Sequence, residues 1–567
     1  MEYLKLCEVY EELEKNPSRL KKIEILSDFL KIIKKEKNKE IVYLLKGKVY
    51  PDYSEKEFGI SEKLVIKALS KASGVSTNDI VQKWKKIGDL GLVAQNIIST
   101  KKQNTLFSNK LTVEKIMTNL QSLPALEGKG TVGKKMNIIS ELLTSSKGIE
   151  AKYIIRTLLR DLRIGVANGT LRDAIRKACF DETEPEKIKE LNELIQEAYD
   201  RTNDFAFVFE KACLGRKELE SIEITPKKPS KVMLYQKEKT VEDGFERVGK
   251  PALIDYKYDG FRVMINKENS NIKIYTRRLD DVTKQFPEVI KYVTKYIKGY
   301  SFILDAEAVG FDPTTKKYRP FQEISQRIKR KYDIEKLSKK LPIEINVFDI
   351  LYYNGKSLIK TPLSERRKLI EKIVPIKKFI IKPSEAIITD NIKIAEKFYK
   401  KALSEGEEGV MMKNLSSPYK PGSRVGHGIK IKPVENEFDL VIVGAEYGTG
   451  KRAGWLTSFD LSCKDENNAL LRIGKASTGL KEKREQGLSY IELTDILKKL
   501  IIKEEGRKVE VKPKVIVTII YQNIQISPHY DSGYALRFPR ITQLRPDKSI
   551  QDVATLKEIE YDYKKNN

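Results

Sequence analysis

The chain has 567 residues, 40% of them hydrophobic, which is too long for one core and enough to build about three domains. Lys and Arg number 107 against 80 Asp and Glu, so both signs are plentiful and a disordered composition is excluded, while the net charge of +27 favours a polyanionic partner. Two histidines and four scattered cysteines (Cys7, Cys179, Cys213, Cys463) argue against HExxH sites, zinc knuckles, Ser-His catalysis and a disulfide framework, leaving Lys, Arg, Asp and Glu to run any chemistry in a reducing cytoplasm.

Up to residue 225 the apolar residues recur at helical spacing. Ser76-Thr-Asn-Asp79 predicts a helix start, with Ile80, Trp84 and Ile87 on one face. Thr112 is placed to cap a helix carrying Val113, Ile116, Met117 and Leu120 at i, i+3, i+4 and i+7. Ile139, Leu142 and Leu143 continue the pattern, as do Ile155, Leu158, Leu159 and Leu162. The expectation is an all-α domain over 1–225.

Pro226 and Pro229, in Thr-Pro-Lys-Lys-Pro-Ser, predict a linker. Beyond it, β-rich runs at 252–256, 261–265, 301–304 and 345–350 alternate with helical stretches, giving an α+β domain over 226–433. A third region, 434–567, carries strand runs at 440–443, 470–473 and 509–521, separated by turns such as Tyr447-Gly-Thr-Gly450. It fits a small antiparallel β-barrel. The joints near 226–231 and 433–437 are expected to permit rotation. No run of about 18 apolar residues, signal peptide or lipidation motif is found, so no membrane role is expected.

The chemistry centres on Asp255-Tyr-Lys257-Tyr-Asp259-Gly260-Phe-Arg262. A lysine at the end of a strand has a fixed backbone, and the glycine lets the chain turn tightly against a bound nucleotide. An amine attacks phosphorus only when neutral, and neighbouring cations such as Arg262, Lys430 and Lys432 favour that form while balancing phosphate charge. Taken singly, K-x-D-G is also the pattern of an Asp-Gly hairpin corner.

Further motifs follow in a fixed order, and with them the chain resembles the nucleotidyltransferase superfamily of ATP-dependent DNA ligases and capping enzymes, most closely the archaeal-type DNA ligases. The resemblance implies that Lys257 is the catalytic nucleophile and that Asp255 and Arg262 belong to the nucleotide pocket. Tyr275-Thr-Arg277-Arg278 is similar to the basic segment whose first arginine faces ribose. Leu304-Asp305-Ala-Glu307 resembles the strand whose glutamate contacts ribose and helps place metal, and Val347-Phe348-Asp349 the strand whose aromatic stacks on adenine. Glu408-Gly409 resembles the motif with a carboxylate near the metal. Lys430-Ile-Lys432 resembles the pair on the α-phosphate, with Arg424 just before it. Arg537-Phe-Pro-Arg540 and Arg545-Pro-Asp547-Lys548 resemble the segment that orients pyrophosphate, through Arg540 or Lys548. In the helical region, Arg156, Arg160 and Arg163, with Lys129 and Lys134 of Gly128-Lys-Gly-Thr-Val-Gly133-Lys134, resemble the family's DNA-binding segments. Ala453-Gly454-Trp455 and Arg472-Ile-Gly-Lys475 match the barrel's DNA-facing segments less specifically. Gln103-Asn-Thr-Leu106-Phe107 is similar to a sliding-clamp-binding peptide, with Leu106 in place of its second aromatic. Two departures stand out: no tryptophan near position 428, and no proline or alanine in Val232-Met-Leu-Tyr235.

What the resemblance implies is a multi-domain architecture: an all-α DNA-binding domain, an α+β adenylation domain and a C-terminal OB-fold. The implied cofactors are ATP and Mg²⁺, with Glu307 and Glu408 on the metal. The implied substrate is nicked double-stranded DNA, and the protein is expected to be a cytoplasmic, nucleoid-associated monomer. AMP would pass from ATP to Lys257, then to the 5′-phosphate of the nick, and would leave as the 3′-hydroxyl closes the strand. Two other readings compete: an RNA ligase or capping enzyme, which generally lacks so large a helical region, and an inactive DNA-binding scaffold, which has no reason to keep Lys257, Glu307, Glu408, Lys430 and Lys432 together.

Overall fold

The computed structural model describes residues 1–566 apart from 55, 101–109, 127, 129, 320, 329–331, 434–435, 450–451, 453, 483 and 485–486. The candidate clamp-binding segment 103–107 and Lys129 therefore lie outside the described residues. The chain divides into two compact units, Met1–Lys432 and Pro433–Asn567.

The helical expectation for the first part of the first unit holds down to its caps. Ser76 accepts from the Asp79 N–H at 3.1 Å and opens helix Thr77–Ile87, which Gly88 closes at φ 73°. Thr112 accepts from the Lys115 N–H at 3.2 Å, and Val113, Ile116, Met117 and Leu120 of helix Val113–Ser122 are all buried. The last periodic stretch departs from expectation. Helix Gly148–Leu158 stops before Leu162, because Arg160 and Arg163 adopt left-handed backbone at φ 57° and 60°. The Asp161 N–H bonds the Arg156 carbonyl at 2.9 Å across this turn.

The segment read as a linker near 226–231 is held on both sides. Asn203 Nδ2 donates to the Pro229 carbonyl at 2.8 Å, Lys231 pairs with Asp200 at 2.8 Å, and Asn266 Nδ2 donates to the Pro226 carbonyl at 3.1 Å. These contacts join the helical region to the strands that follow within one unit.

Those strands are β1 (Leu234–Glu238), β2 (Ala252–Lys257), β3 (Phe261–Glu268), β4 (Asn271–Thr276), β5 (Ser301–Phe311), β6 (Tyr318–Arg319), β7 (Ile343–Tyr353), β8 (Lys356–Ser357), β9 (Ile381–Pro383), β10 (Ala386–Thr389), β11 (Gly409–Asn414) and β12 (Arg424–Ile431). Among the described residues they form two sheets. One runs β1-β12-β11-β2-β10; the other runs β4-β3-β5-β7-β8, with β6 on β5 and β9 on β7. A cluster including Tyr235, Met264, Tyr275, Ile303, Leu351 and Val425 packs sheet against sheet. Helices Val241–Val248 and Ile392–Ser404 cover the outer face of the first sheet; helices Pro287–Tyr296 and Leu363–Ile373 cover that of the second. Strands buried on both faces read as unbroken apolar runs, which is why their sequence shows little alternation.

The second unit is an OB-type antiparallel sheet of β13 (Asn436–Tyr447), β14 (Leu456–Lys464), β15 (Leu470–Ala476), β16 (Ile501–Glu505) and β17 (Lys508–Tyr521), in the order β15-β14-β13-β17-β16, with the strand Arg540–Leu544 on β17. Leu440, Phe459, Ile473 and Val517 close its core against Leu493 and Leu497 of helix Tyr490–Lys498.

Candidate active site

The turn from β2 into β3 places Lys257. Its carbonyl accepts the Glu408 N–H at 2.9 Å, and the Asp259 N–H donates to Glu407 at 3.0 Å, so the residues before β11 fasten the turn at two points. Gly260 is required here: a Cβ would lie 2.5 Å from the Ala308 carbonyl oxygen and 2.9 Å from Glu307 Cγ. Gly409 meets the same constraint from the other side, with φ 141° and a Cβ position 2.1 Å from the Ile431 carbonyl oxygen. Close backbone approach brings β2, β5, β11 and β12 to one point.

At that point stand Lys257, Glu408 and Lys432. The Glu408 carboxylate pairs with both ammonium groups, and all three side chains keep less than a quarter of their surface in solvent. Burial alone would raise the Glu408 carboxyl, but Lys257 and Lys432 outweigh it and hold the group at about 2. Glu307, on β5, has no such pair. Burial pushes it to about 8, against the pull of Lys257 and Arg262 and with the repulsion of Glu408 and Asp305. Lys430 is lowered by burial first, then by Lys257, Lys432, Arg424 and Arg277. Arg277 follows β4 and is lowered by burial, Arg262 and Arg424, with Glu307 opposing. Six cations (Lys257, Lys430, Lys432, Arg262, Arg277 and Arg424) thus crowd three acidic groups (Glu307, Glu408 and Asp305), a balance that a polyphosphate would relieve.

Beside the cluster, Phe348 is the one half-exposed side chain in the stretch from Ile343 to Leu351 of β7. Its ring is flanked by two cations, Lys413 Nζ at 4.8 Å and Arg262 Cζ at 5.2 Å from the centroid. Asp255 lies buried next to Lys413, paired at 2.7 Å, with its second oxygen Oδ1 lacking a hydrogen-bond partner. An aromatic face next to an orphaned buried acceptor suits a flat base that carries an amine.

Arg262 occupies a different role from the phosphate-facing cation expected of it. Its guanidinium bonds both oxygens of buried Asp305 (2.8 and 2.5 Å) and the Met233 carbonyl (2.7 Å), and Tyr419 Oη donates to the same Asp305 at 2.6 Å. Committed in this way, it positions Phe348 and the β3–β5 pair. Position 428 also explains itself. A Cβ on Gly428 would fall 2.2 Å from the Tyr235 ring, so the aromatic that fills this space comes from β1.

A divalent cation fits here only in part. Glu307 and Glu408 are hard oxygen donors, yet among the described residues no group of three His, Cys, Asp or Glu could hold a metal. Two carboxylates suit a cation that arrives with phosphates and keeps several waters.

The candidate DNA contacts separate into two kinds. Arg156 is 3% exposed; its guanidinium bonds Glu14 at 2.8 and 3.0 Å and Asp89 at 2.6 and 3.2 Å, so it cannot reach a phosphate. Arg160 and Arg163 are exposed; Arg160 pairs at the surface with Glu57 at 2.8 Å, and Arg163 with Asp161 at 2.7 Å and, reaching inward, with buried Asp89 at 3.2 Å. They rim a cleft of about 740 Å³ whose wall includes Phe58, Trp84 and Leu90. Lys134 is exposed in the first turn of helix Thr131–Ser145, next to Gly130, the N-cap, at φ 82°. In the second unit, Arg540 is exposed and Lys548 pairs with Asp439 at 2.5 Å. Glu407 and Tyr419 carry no local signal in the sequence, and each gains its role from a partner more than 100 residues away; Asp305 stands inside the Leu304-Asp305-Ala-Glu307 motif, but its pairing with Arg262, 43 residues away, is not legible there.

Three family models match the chain: "DNA ligase N terminus" over residues 2–176, "ATP dependent DNA ligase domain" over 232–432 and "ATP dependent DNA ligase C terminal region" over 452–548. The chain is 43% identical to the DNA ligase of Nanoarchaeum equitans over 99% of its own length and 98% of the relative's. It is 37% identical to that of Archaeoglobus fulgidus over 100% and 99%. The solved structure Pmar-Lig_Pre shares the fold with a TM-score of 0.56, at 17% identity over 95% of this chain and 98% of that one.

Proposed function

The chain belongs to the ATP-dependent DNA ligases, and from that premise we propose that Lys257 Nζ is the group that takes AMP from ATP and hands it to a nick. The observation that carries this assignment is the convergence of Lys257, Glu408, Lys432, Lys430 and Glu307 at the end of β2. In the first step Nζ bonds the α-phosphorus while the bond to the pyrophosphate oxygen breaks. The ammonium gives up two protons across the step, one to expose the lone pair and one as the P–N bond forms. Glu408 stabilises the ammonium, so it must be drawn off Nζ before attack, and Lys432 offers it a second partner. Phe348 stacks the adenine, Asp255 Oδ1 accepts from its amine, and Arg277 and Arg424 face the ribose and phosphates. Glu307 and Glu408 would hold Mg²⁺, which when bound neutralises phosphate charge. Arg540 and Lys548 act on the departing pyrophosphate.

AMP then passes to the 5′-phosphate of nicked duplex DNA, and the 3′-hydroxyl displaces it to close the strand. Arg160, Arg163, Lys129 and Lys134 contact phosphates without reading sequence. We place this work on nucleoid DNA in the cytoplasm, in replication, repair and recombination, with residues 103–107 as a sliding-clamp contact. No described helix is long and apolar enough to cross a membrane.

Incubation with Mg²⁺ and α-labelled ATP, followed by a denaturing gel, tests the assignment. The wild type should keep the label and release it to nicked DNA with strand closure, and Lys257→Ala should take up none. Label on the folded Lys257→Ala protein would overturn the role of this lysine.

A further inference from the structure

The four cysteines are far apart in sequence, yet the helical region brings two of them together. Cys179 ends helix Asn168–Cys179 and Cys213 lies one residue before the end of helix Phe205–Leu214; their Sγ atoms stand 3.7 Å apart. Both are half-buried, whereas Cys7 and Cys463 are buried. The gap exceeds an S–S bond of about 2.05 Å by less than two ångströms, a distance that side-chain rotation spans. Neither thiol belongs to the cluster around Lys257, and the proposed ligation steps use neither.

The surroundings give the two sulfurs different chemistry. Contact with Cys179 favours the thiolate of Cys213 first of all; burial opposes it, and Lys34 and Lys39 add to it. The same contact and burial push Cys179 upward. Lys39 is held in place by donating to the carbonyls of Ile33 at 3.0 Å and Lys34 at 2.7 Å, so its charge is fixed near the C-terminal end of helix Arg19–Ile33. The more acidic sulfur, that of Cys213, is the one suited to attack.

We propose that Cys179 and Cys213 form a redox-modifiable disulfide site that staples helix Asn168–Cys179 to helix Phe205–Leu214, with small-molecule disulfides of the glutathione class as the oxidant. Cys213 thiolate attacks one sulfur of the small disulfide, forming a mixed disulfide and expelling one thiolate. Cys179, after losing its proton, attacks Cys213 Sγ and expels the second. Two protein thiols are oxidised, one small disulfide is reduced to two small thiols, and the protons pass to the departing thiolates. The closed loop carries the whole of helix Pro185–Thr202, so the link removes freedom chiefly from the unfolded chain. It should raise the melting temperature of the helical region by several degrees and leave Lys257 labelling unchanged.

The test equilibrates the full-length protein with oxidised and reduced glutathione at a series of ratios, quenches in acid, unfolds it and counts thiols by maleimide mass shift. Wild type should fall from four reactive thiols to two, with peptide mapping joining 179 to 213, reversal by dithiothreitol, and the rise in melting temperature. Cys179→Ser and Cys213→Ser should each abolish the link and the rise, while Cys7→Ser and Cys463→Ser should retain both; Cys→Ala versions replace any serine variant that melts early under reducing conditions. Four thiols persisting in a large excess of oxidised glutathione, a glutathione adduct on Cys213 that never resolves, or a 179–213 link with no change in melting would overturn the proposal.

Discussion

Replacing Arg156 with Met tests whether this arginine belongs to the fold or to DNA. The side chain is buried between Glu14 and Asp89, whose own exposures are 30% and 5%. Burial would raise the Glu14 carboxyl, but Arg156 and Lys152 hold it at about 2, against an ordinary 4.5. That difference corresponds to about 3 kcal/mol at neutral pH, of which solvent screening and the share of Lys152 leave about 1.5 to Arg156. Asp89 loses the two Arg156 donors at 2.6 and 3.2 Å and keeps Arg163 at 3.2 Å and the Gly91 and Leu92 N–H groups at 2.8 and 3.2 Å. Its partial compensation adds a similar amount, so Arg156→Met should cost about 3 kcal/mol, the low end for breaking a buried pair. Urea unfolding followed by Trp84 fluorescence in a Trp455→Phe background reports the helical region alone, since the chain has two tryptophans. The Glu14 share has a definite sign. Its folded value is depressed, so the stabilisation is complete above the ordinary 4.5 and disappears as pH falls toward about 2, and the gap between wild type and variant should narrow over that window. Arg160→Ala should behave oppositely, keeping stability within about 0.5 kcal/mol and lowering the salt slope of DNA binding by about 0.9. An Arg156→Met protein that unfolds like wild type but loses the same salt slope would refute the reasoning.

Gly260→Ala should fold yet slow lysine labelling by about a hundredfold, because its Cβ meets backbone at 2.5 Å and displaces the Lys257 turn; a wild-type labelling rate would show that the turn adapts. Phe348→Ala should raise the ATP concentration for half-maximal labelling by about 5- to 150-fold, the equivalent of losing about 1–3 kcal/mol of base stacking, and an unchanged titration would remove Phe348 from the pocket. Asp52, 16% exposed, is held at about 2 by Lys46 and Lys48 against burial. Asp52→Asn should therefore cost about 2 kcal/mol at pH 7, with the deficit fading as pH falls from 3.8 to about 2; a deficit independent of pH would mean that the charge pairs contribute nothing.

The domain types and the position of Lys257 at the end of a strand were legible in the linear chain because their signals are local. Ser76 and Thr112 cap the helices they precede, strand runs at 252–256 and 301–304 mark the cores of longer strands, and the motif order follows the strands that carry it. Strand ends were harder to read: β5 and β7 continue well beyond their apolar centres because pairing with neighbours extends them, and no residue within the strand records this.

Fold class, the ordered motifs and Lys257 as their focus were thus determined by sequence alone, since backbone periodicity and capping depend on residues within a turn or two of each other. Tertiary structure alone decided which charges are spent inside. Arg156 looks like Arg160 in sequence, yet Glu14 and Asp89, brought from 142 and 67 residues away, bury it. Arg262 is taken by Asp305, Lys413 by Asp255, and Cys179 meets Cys213. Desolvation and pairing act over a few ångströms in space, and which residues come that close is set by the packing of distant segments.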